Sequence, residues 1–268
     1  VTLVNGEADQ SVRPESTPEP SPAAPTAAAA AGGAAELGEE SYDRIVPCLI
    51  PGYTSLARLG VALLAASPQA SVAEAAVLVA GCGSGAELLE ARAQRPDWRL
   101  TGLDPSAAML ALARQRLGEA AGVDWHCGTV ESLGDQARFD GALAVLVLQA
   151  LPDDGSKLAF LTALARSLRP GAQLVLVDLM QAERSPLQEQ LRQARLGFQR
   201  ASGLELPAGG VSVAAPTVTA QTVTALTGGL HPIGLSRLTS LVAAAGFGDP
   251  APVFQALDVE GFLLQRRA

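Results

Sequence analysis

VLVAGCGSGAE, residues 77–87, sets an apolar run against three glycines at alternate positions, Gly81, Gly83 and Gly85. A turn alone needs one glycine, or two. Three at this spacing, followed by the helical pattern ELLEARAQ, mean that something must approach the backbone closely. The spacing is G-x-G-x-G, not the G-x-G-x-x-G of dinucleotide sites, and no Gly-Lys-Ser/Thr of a phosphate loop follows. Such a turn suits a ligand without a diphosphate.

Outward from this loop, strand and helix patterns alternate. AAVLVAG reads as a buried strand and AELLEARAQR as a helix stopped by Pro96. WRLTGLD is a strand, and PSAAMLALARQRLG a helix with Pro in its first turn and Gly at its end. VDWHCGT is a short strand. FDGALAVLVLQAL starts as a strand and becomes a loop near Leu148. DDGSKLAFLTALARSLRPG is a helix ended by Pro-Gly, and AQLVLVDLM is the next strand. SPLQEQLRQARLGFQRASG looks helical, and HPIGLSRLTSLVAAAGF is a helix with His231 near its start and Pro232 in its first turn. APVFQALDVEGFLLQRRA reads as two strands joined around Asp258–Gly261. The alternation predicts an α/β protein with a Rossmann-like doubly wound sheet, mostly parallel, with an antiparallel C-terminal edge strand.

In an open sheet of this kind the ligand sits at the carboxyl ends of the strands, so the glycine turn is the place to look. Asp104, closing WRLTGLD some 19 residues beyond Gly85, is the second marker. A carboxylate there can accept both hydroxyls of a ribose. Its bland role is to cap the helix from Pro105, and one oxygen can cap while the other binds. Loop and acid together read as a nucleoside site.

The chain of 268 residues is 48% hydrophobic, enough for one large α/β domain. Residues 1–40 form an acidic Pro/Ala-rich tail with seven acids against one base, and read as disordered. They hold most of the net charge of −8, so residues 41–268 are nearly neutral and present no basic field to draw in nucleic acid. Arg184, Arg192, Arg195 and Arg200 lie close in sequence, as on a solvated helix face. No apolar run is long enough for a membrane span. VTLVNGEADQ lacks the features of a secretory signal and starts without Met, as a fragment or an unusual start does. Cys48, Cys82 and Cys127 follow no metal-like pairing, so reduced, mostly buried thiols in a cytoplasmic protein and no metal site are expected.

These motifs carry a resemblance. VLVAGCGSGAE with LTGLDPSAAMLALAR resembles the first two motifs of class I S-adenosylmethionine-dependent methyltransferases. CGTVESL (127–133) is similar to their adenine-contact segment, FDGALAVLVLQALPD to the strand and loop facing the methyl group, and LRPGAQLVLVDL to the next helix end and strand. The resemblance, over 41–268, implies S-adenosylmethionine as cofactor. It implies that Gly81, Cys82, Gly83 and Gly85 line the methionine portion and Asp104 holds the ribose. Pro105 and Met109 would flank the adenine, and Thr129 and Val130 would meet its edge. An acid often stands in the family where Thr129 does here, and a hydroxyl accepts more weakly.

IPGYTSL (50–56), GFQRASG (197–203) and PVFQALDVEGFLLQ are similar to the carboxy-S-adenosylmethionine synthase branch, which carboxylates S-adenosylmethionine with prephenate. That likeness implies that Tyr53 helps bind the cofactor. The chain departs from the branch in two places. No Arg or Lys occurs between Arg200 and Arg237 to pair with an added carboxylate, and an apolar residue near Val145 replaces the branch's Asn. The reading is therefore methyl transfer to a small molecule, with carboxy-S-adenosylmethionine synthesis and a non-catalytic nucleoside-binding module as alternatives.

Methyl transfer from a sulfonium needs alignment behind the methyl and exclusion of water, and a base only if the nucleophile must lose a proton. His231 is the candidate base, with helix capping as its competing role; His126 reads as structural. Asp178 and Glu183 follow the fifth strand near the cleft mouth as weaker candidates. Substrate choice should lie in 41–58, 149–154 and the apolar 180–232 insertion. The competing role for that insertion, a flap or oligomer contact, admits a homodimer.

Overall fold

The computed structural model describes residues 39–118, 122–134, 136–181, 186–204 and 229–268. Most of the acidic tail and most of the 205–232 stretch, with Glu183, lie outside them. Two helices lead: α1 (Glu39–Leu49) and α2 (Tyr53–Ala65). Then come β1 (Ala76–Ala80), α3 (Ala86–Gln94), β2 (Arg99–Asp104), α4 (Ala107–Leu117), β3 (Val123–Cys127) and β4 (Phe139–Val145). The last elements are α5 (Ser156–Ser167), β5 (Leu168–Leu179), α6 (Gln188–Ala201), α7 (Leu235–Ala245), β6 (Ala251–Ala256) and β7 (Val259–Gln265). Short 3-10 turns follow β3 (Val130–Leu133) and β4 (Leu148–Ala150).

The seven strands are ordered β3-β2-β1-β4-β5-β7-β6. β1 pairs in parallel with β2 on one side and β4 on the other, so the chain reverses its direction of travel across the sheet at β1. That makes the carboxyl ends of β1 and β4 the switch-point crevice. β7 is antiparallel to both β5 and β6. The antiparallel C-terminal strands form this edge of the sheet, as expected, with β7 inserted between β5 and the outermost β6. Long-range pairing of a hairpin decides this, and no local pattern reports it. Both sheet faces are covered. One apolar layer joins Leu78, Leu174 and Leu176 to Phe160, Leu164, Leu238 and Val242 of α5 and α7. The other joins Val77, Val79 and Val175 to Ile45, Leu49, Leu56 and Leu64 of α1 and α2.

Several helix ends differ from the sequence reading. Pro47 lies within α1, and the chain turns into α2 at Gly52, which has φ +80°. α4 starts at Ala107, with Ser106 as N-cap accepting from the Met109 amide at 3.3 Å, so Pro105 precedes the helix. α5 stops at Ser167, and Arg169-Pro170-Gly171 already belongs to β5, beside an irregularity in its pairing with β4. α7 starts after Gly234, leaving His231 and Pro232 outside it. Its N-cap is Gly234, which removes capping as a role for His231. Ile233 is held outside the helix by a bridge to Met180, its carbonyl accepting from the Gln181 amide at 2.9 Å, which accounts for the late start.

α2 lies unusually close to the sheet. A Cβ on Gly141 of β4 would meet the Leu64 side chain at 2.6 Å, and one on Gly60 would meet Leu143 at 3.3 Å. Leu64 and Leu143 are fully buried, so neither has room to yield. The absent side chains let α2 cross over β4 and deliver Tyr53, at its N-terminus, to the carboxyl end of the sheet.

Gly141→Ala should therefore lower the melting temperature, by overpacking worth about 1–3 kcal/mol. Gly197→Ala, in exposed α6 with no atom within 4 Å, should raise it slightly by helix propensity. Thermal melts of the two variants check both signs.

Candidate nucleoside site

The loop after β1 is tied to the end of β2. The Gly81 and Cys82 amides both donate to the Leu103 carbonyl, at 2.8 and 2.9 Å. The Gly83 amide donates to Asp104 Oδ2 at 2.9 Å, and the Ser106 amide to Asp104 Oδ1 at 2.9 Å. The Asp104 carbonyl accepts from the Gly128 amide at 3.1 Å, which brings the end of β3 alongside. One buried aspartate thus fixes the glycine loop, the approach to α4 and the segment before Thr129.

The three glycines do different things. All have positive φ: +68° at Gly81, +48° at Gly83 and +88° at Gly85. A Cβ on Gly81 would strike the Val147 side chain at 2.5 Å, so this glycine packs against the turn after β4. A Cβ on Gly85 would sit 3.0 Å from Ala113 and Leu117, so this one lets α3 and α4 approach. A Cβ on Gly83 would meet nothing within 4 Å. Gly83 is the position whose bare backbone faces open space, as a ligand cradle requires.

Tyr53, Gly81, Cys82, Gly83, Ser84, Ala86, Glu87, Val145 and Leu146 line one small cavity. The fold therefore brings Tyr53, the loop and Val145 together from three separate regions. Asp104 keeps acceptor capacity. Its two oxygens offer about four lone-pair positions, and the two amides take one each. The free positions suit a vicinal diol. Pro105 is half-buried beside it, and the Cys127 thiol lies 3.9 Å from the Pro105 carbonyl. Met109 and Val130 are buried, while Thr129 is exposed before the 3-10 turn. These residues fit a nucleoside with an amino-acid arm: open backbone at Gly83, diol acceptors at Asp104 and an apolar wall at Val145–Leu146.

Burial dominates the electrostatics. The Cys82 thiol is buried beside Asp104 and Glu87, and desolvation chiefly pushes its pKa far up; it stays protonated and is no nucleophile. Burial also raises Asp104, against the amides of Ser106 and Gly83. Glu87, buried in the first turn of α3, is raised to about 7 by desolvation, with its own amide and the Arg116 charge opposing. Asp178 is raised to about 7 by burial, against the amides of Gln149, Leu148 and Leu179 and the Lys157 charge.

The base candidates separate. His231 is exposed, and its amide donates to the Gln149 carbonyl at 2.7 Å, beside the turn after β4. His126 lies on β3 with its Nε2 3.0 Å from Asp124, away from that turn. Asp178 is buried in amide contacts and is not placed to take a proton from an acceptor. Sequence reasoning missed Glu87 and Leu146. An acid just inside the helix after a glycine loop was a usable signal for Glu87. Nothing in sequence announces the left-handed Leu146, with φ +58°. Among the described residues no His, Cys, Asp or Glu cluster converges as metal ligands would, and no helix is long and apolar enough to cross a membrane. A second hollow of about 640 Å³ lies between α6, the start of α7 and the β6–β7 hairpin.

Two predictions follow from this geometry. Asp104→Ala should weaken S-adenosylhomocysteine binding by about 10- to 100-fold, the loss of charge-assisted hydrogen bonds, as read by calorimetry. Stability should also fall as pH rises from about 5 to about 8. Glu87 holds its proton up to about 7 when folded but releases it in the ordinary carboxylate range when unfolded. The native state therefore binds more protons across that window, and its advantage is lost as pH passes 7. Melting temperatures across the range check the slope, which Glu87→Gln should flatten.

Residues 77–171 match the family model of a methyltransferase domain. The chain is 43% identical over 109 residues to trans-aconitate 2-methyltransferase of Methylobacterium nodulans, a stretch covering 41% of this chain and 39% of that protein. It is 31% identical over 130 residues to carboxy-S-adenosyl-L-methionine synthase of Shewanella baltica, covering 46% and 52%. The chain thus spans from about two-fifths to half the length of these curated relatives. In architecture it resembles an S-adenosylmethionine-bound amino pentose methyltransferase from Micromonospora echinaspora, with TM-score 0.58, 20% identity, and 84% and 96% of the two chains covered. Residues 77–171 thus match a methyltransferase domain, and the chain shares its fold with a methyltransferase that binds S-adenosylmethionine.

Proposed function

We infer that this chain transfers the methyl group of S-adenosylmethionine to a small organic molecule. The observation that carries the reading is the Gly83–Asp104 pair: open backbone beside a carboxylate that retains acceptor positions. S-adenosylmethionine, when bound, supplies a methyl already activated by its sulfonium. The chain's own contribution is then placement. Asp104 and the glycine loop orient the nucleoside, Tyr53 closes one side, and Val145–Leu146 exclude water from the reacting side. His231, tied to the turn after β4, is the residue we assign as base where an acceptor must lose a proton. The hollow beside α6 has apolar walls at Leu191, Leu235, Leu257 and Phe262, in keeping with a small organic acceptor.

The likeness to the Shewanella synthase favours a second reading, in which the cofactor itself is carboxylated. The stretch without Arg or Lys between Arg200 and Arg237 argues against it, because an added carboxylate would lack the partner that branch supplies.

The test is mass spectrometry after incubation with methyl-labelled S-adenosylmethionine and a panel of phenols, carboxylic acids and amines. Labelled product with S-adenosylhomocysteine is expected, and His231→Ala should slow turnover of phenols more than that of acceptors that need no deprotonation. A carboxylated nucleoside recovered with the protein would establish the second reading. Binding without turnover on any acceptor would leave a nucleoside-binding module.

A further inference from the structure

The turn after β4 forms one wall of the nucleoside cavity, and its backbone is under strain. Leu146, which lines the cavity, has φ +58°, a conformation that side chains with a Cβ rarely adopt. Its amide donates to the Val177 carbonyl at 2.7 Å. The next residue, Val147, fills the space that a side chain on Gly81 would need. A conformation of this kind persists only where its surroundings over-determine it.

Those surroundings are polar and buried. Asp178, at 2% exposure, accepts from the Leu148 amide at 2.6 Å through Oδ2, and from the Gln149 amide at 3.0 Å and the Leu179 amide at 2.9 Å through Oδ1. Lys157 of α5, at 0% exposure, donates from Nζ to the Leu148 carbonyl at 2.5 Å, and its charge acts on Asp178. Gln149 Oε1 accepts from the Leu179 amide at 3.2 Å. Burying a lysine and an aspartate is costly, and such a pair adds little to stability compared with apolar replacements. A stability role alone gives no reason to spend two buried charges on one short turn.

We propose that Asp178 and Lys157 are positioning residues that hold the Leu146–Gln149 turn, with Leu146 left-handed at its head, and so set the wall against which the cofactor's reacting end rests. The chain of contact is continuous. Asp178 and Lys157 hold both backbone groups of Leu148, that grip places Leu146 and Val147, and Val147 packs on Gly81 of the glycine loop. The inference rests on the reading of this cavity as the S-adenosylmethionine site. It assigns no proton transfer to either residue.

The experiment compares wild type, Asp178→Asn, Lys157→Met and the double variant by melting temperature and by calorimetry with S-adenosylhomocysteine. Each single change strands a buried charge or a set of buried donors and should lower both stability and affinity, the affinity by about tenfold or more. The double variant removes both charges, so its melting temperature should recover well above that of Asp178→Asn. A positioning role requires that affinity stay about tenfold weakened in the double variant all the same, since the turn is no longer gripped. Affinity that recovers together with the melting temperature overturns the proposal, as does wild-type affinity in Asp178→Asn. If the wild type itself binds no S-adenosylhomocysteine, it is the cofactor reading that fails. Amide exchange at Leu148 and Gln149 then reads the grip directly: faster exchange in Asp178→Asn upholds it, and equal exchange overturns it.

Discussion

The buried carboxylate of Asp104 is the constraint on which the site depends. It ends β2, and its two oxygens take amides from two different connections, Gly83 after β1 and Ser106 before α4. A carboxylate with four acceptor positions is the smallest group able to do this and still face a diol. Because β1 and β2 are paired from Ala76–Arg99 to Ala80–Leu103, the strand register itself brings Asp104 level with the loop. The glycine loop is therefore not a free turn. It is held to β2 by Leu103 and Asp104, with the bare backbone of Gly83 left facing open space.

The opposite wall is built by different means. On one side, two missing side chains, at Gly60 and Gly141, lower α2 onto the sheet and bring Tyr53 to the cavity. On the other, the turn after β4 is gripped from below by groups that belong to β5 and α5. Both walls spend stability on placement, one through close packing and one through buried charge. Alignment is what methyl transfer from a sulfonium chiefly requires of a protein, so such spending is consistent with the function inferred.

Much of this was legible in the sequence. The strand AAVLVAG, the G-x-G-x-G turn and the acid ending WRLTGLD are local features with local causes, and each lies where its pattern placed it. Tyr53 and Val145 could be connected to the loop only through a family resemblance, since nothing in their own neighbourhoods points across the sheet. Treating the three glycines as one cradle was too coarse. Gly81 and Gly85 answer to Val147 and to Ala113 and Leu117, which are distant in sequence, and that division appears only once the helices are packed. The place of β7 between β5 and β6 and the grip of Asp178 on Leu148 are likewise long-range. Asp178 looks in sequence like an ordinary acid at a strand end, and became a catalytic candidate for that reason. The late starts of α4 and α7 come from Ser106 capping just inside the expected start and from Ile233 being held in a bridge to Met180.

The central claim is that Asp104 and Gly83 together form a nucleoside cradle. A crystal structure of the protein with S-adenosylhomocysteine tests it most directly. The account predicts both ribose hydroxyls within hydrogen-bonding distance of the Asp104 carboxylate. It also predicts the amino-acid arm over the Gly83 backbone, between Tyr53 and Val145–Leu146. A nucleoside bound elsewhere, with Asp104 meeting only the Gly83 and Ser106 amides, would contradict it.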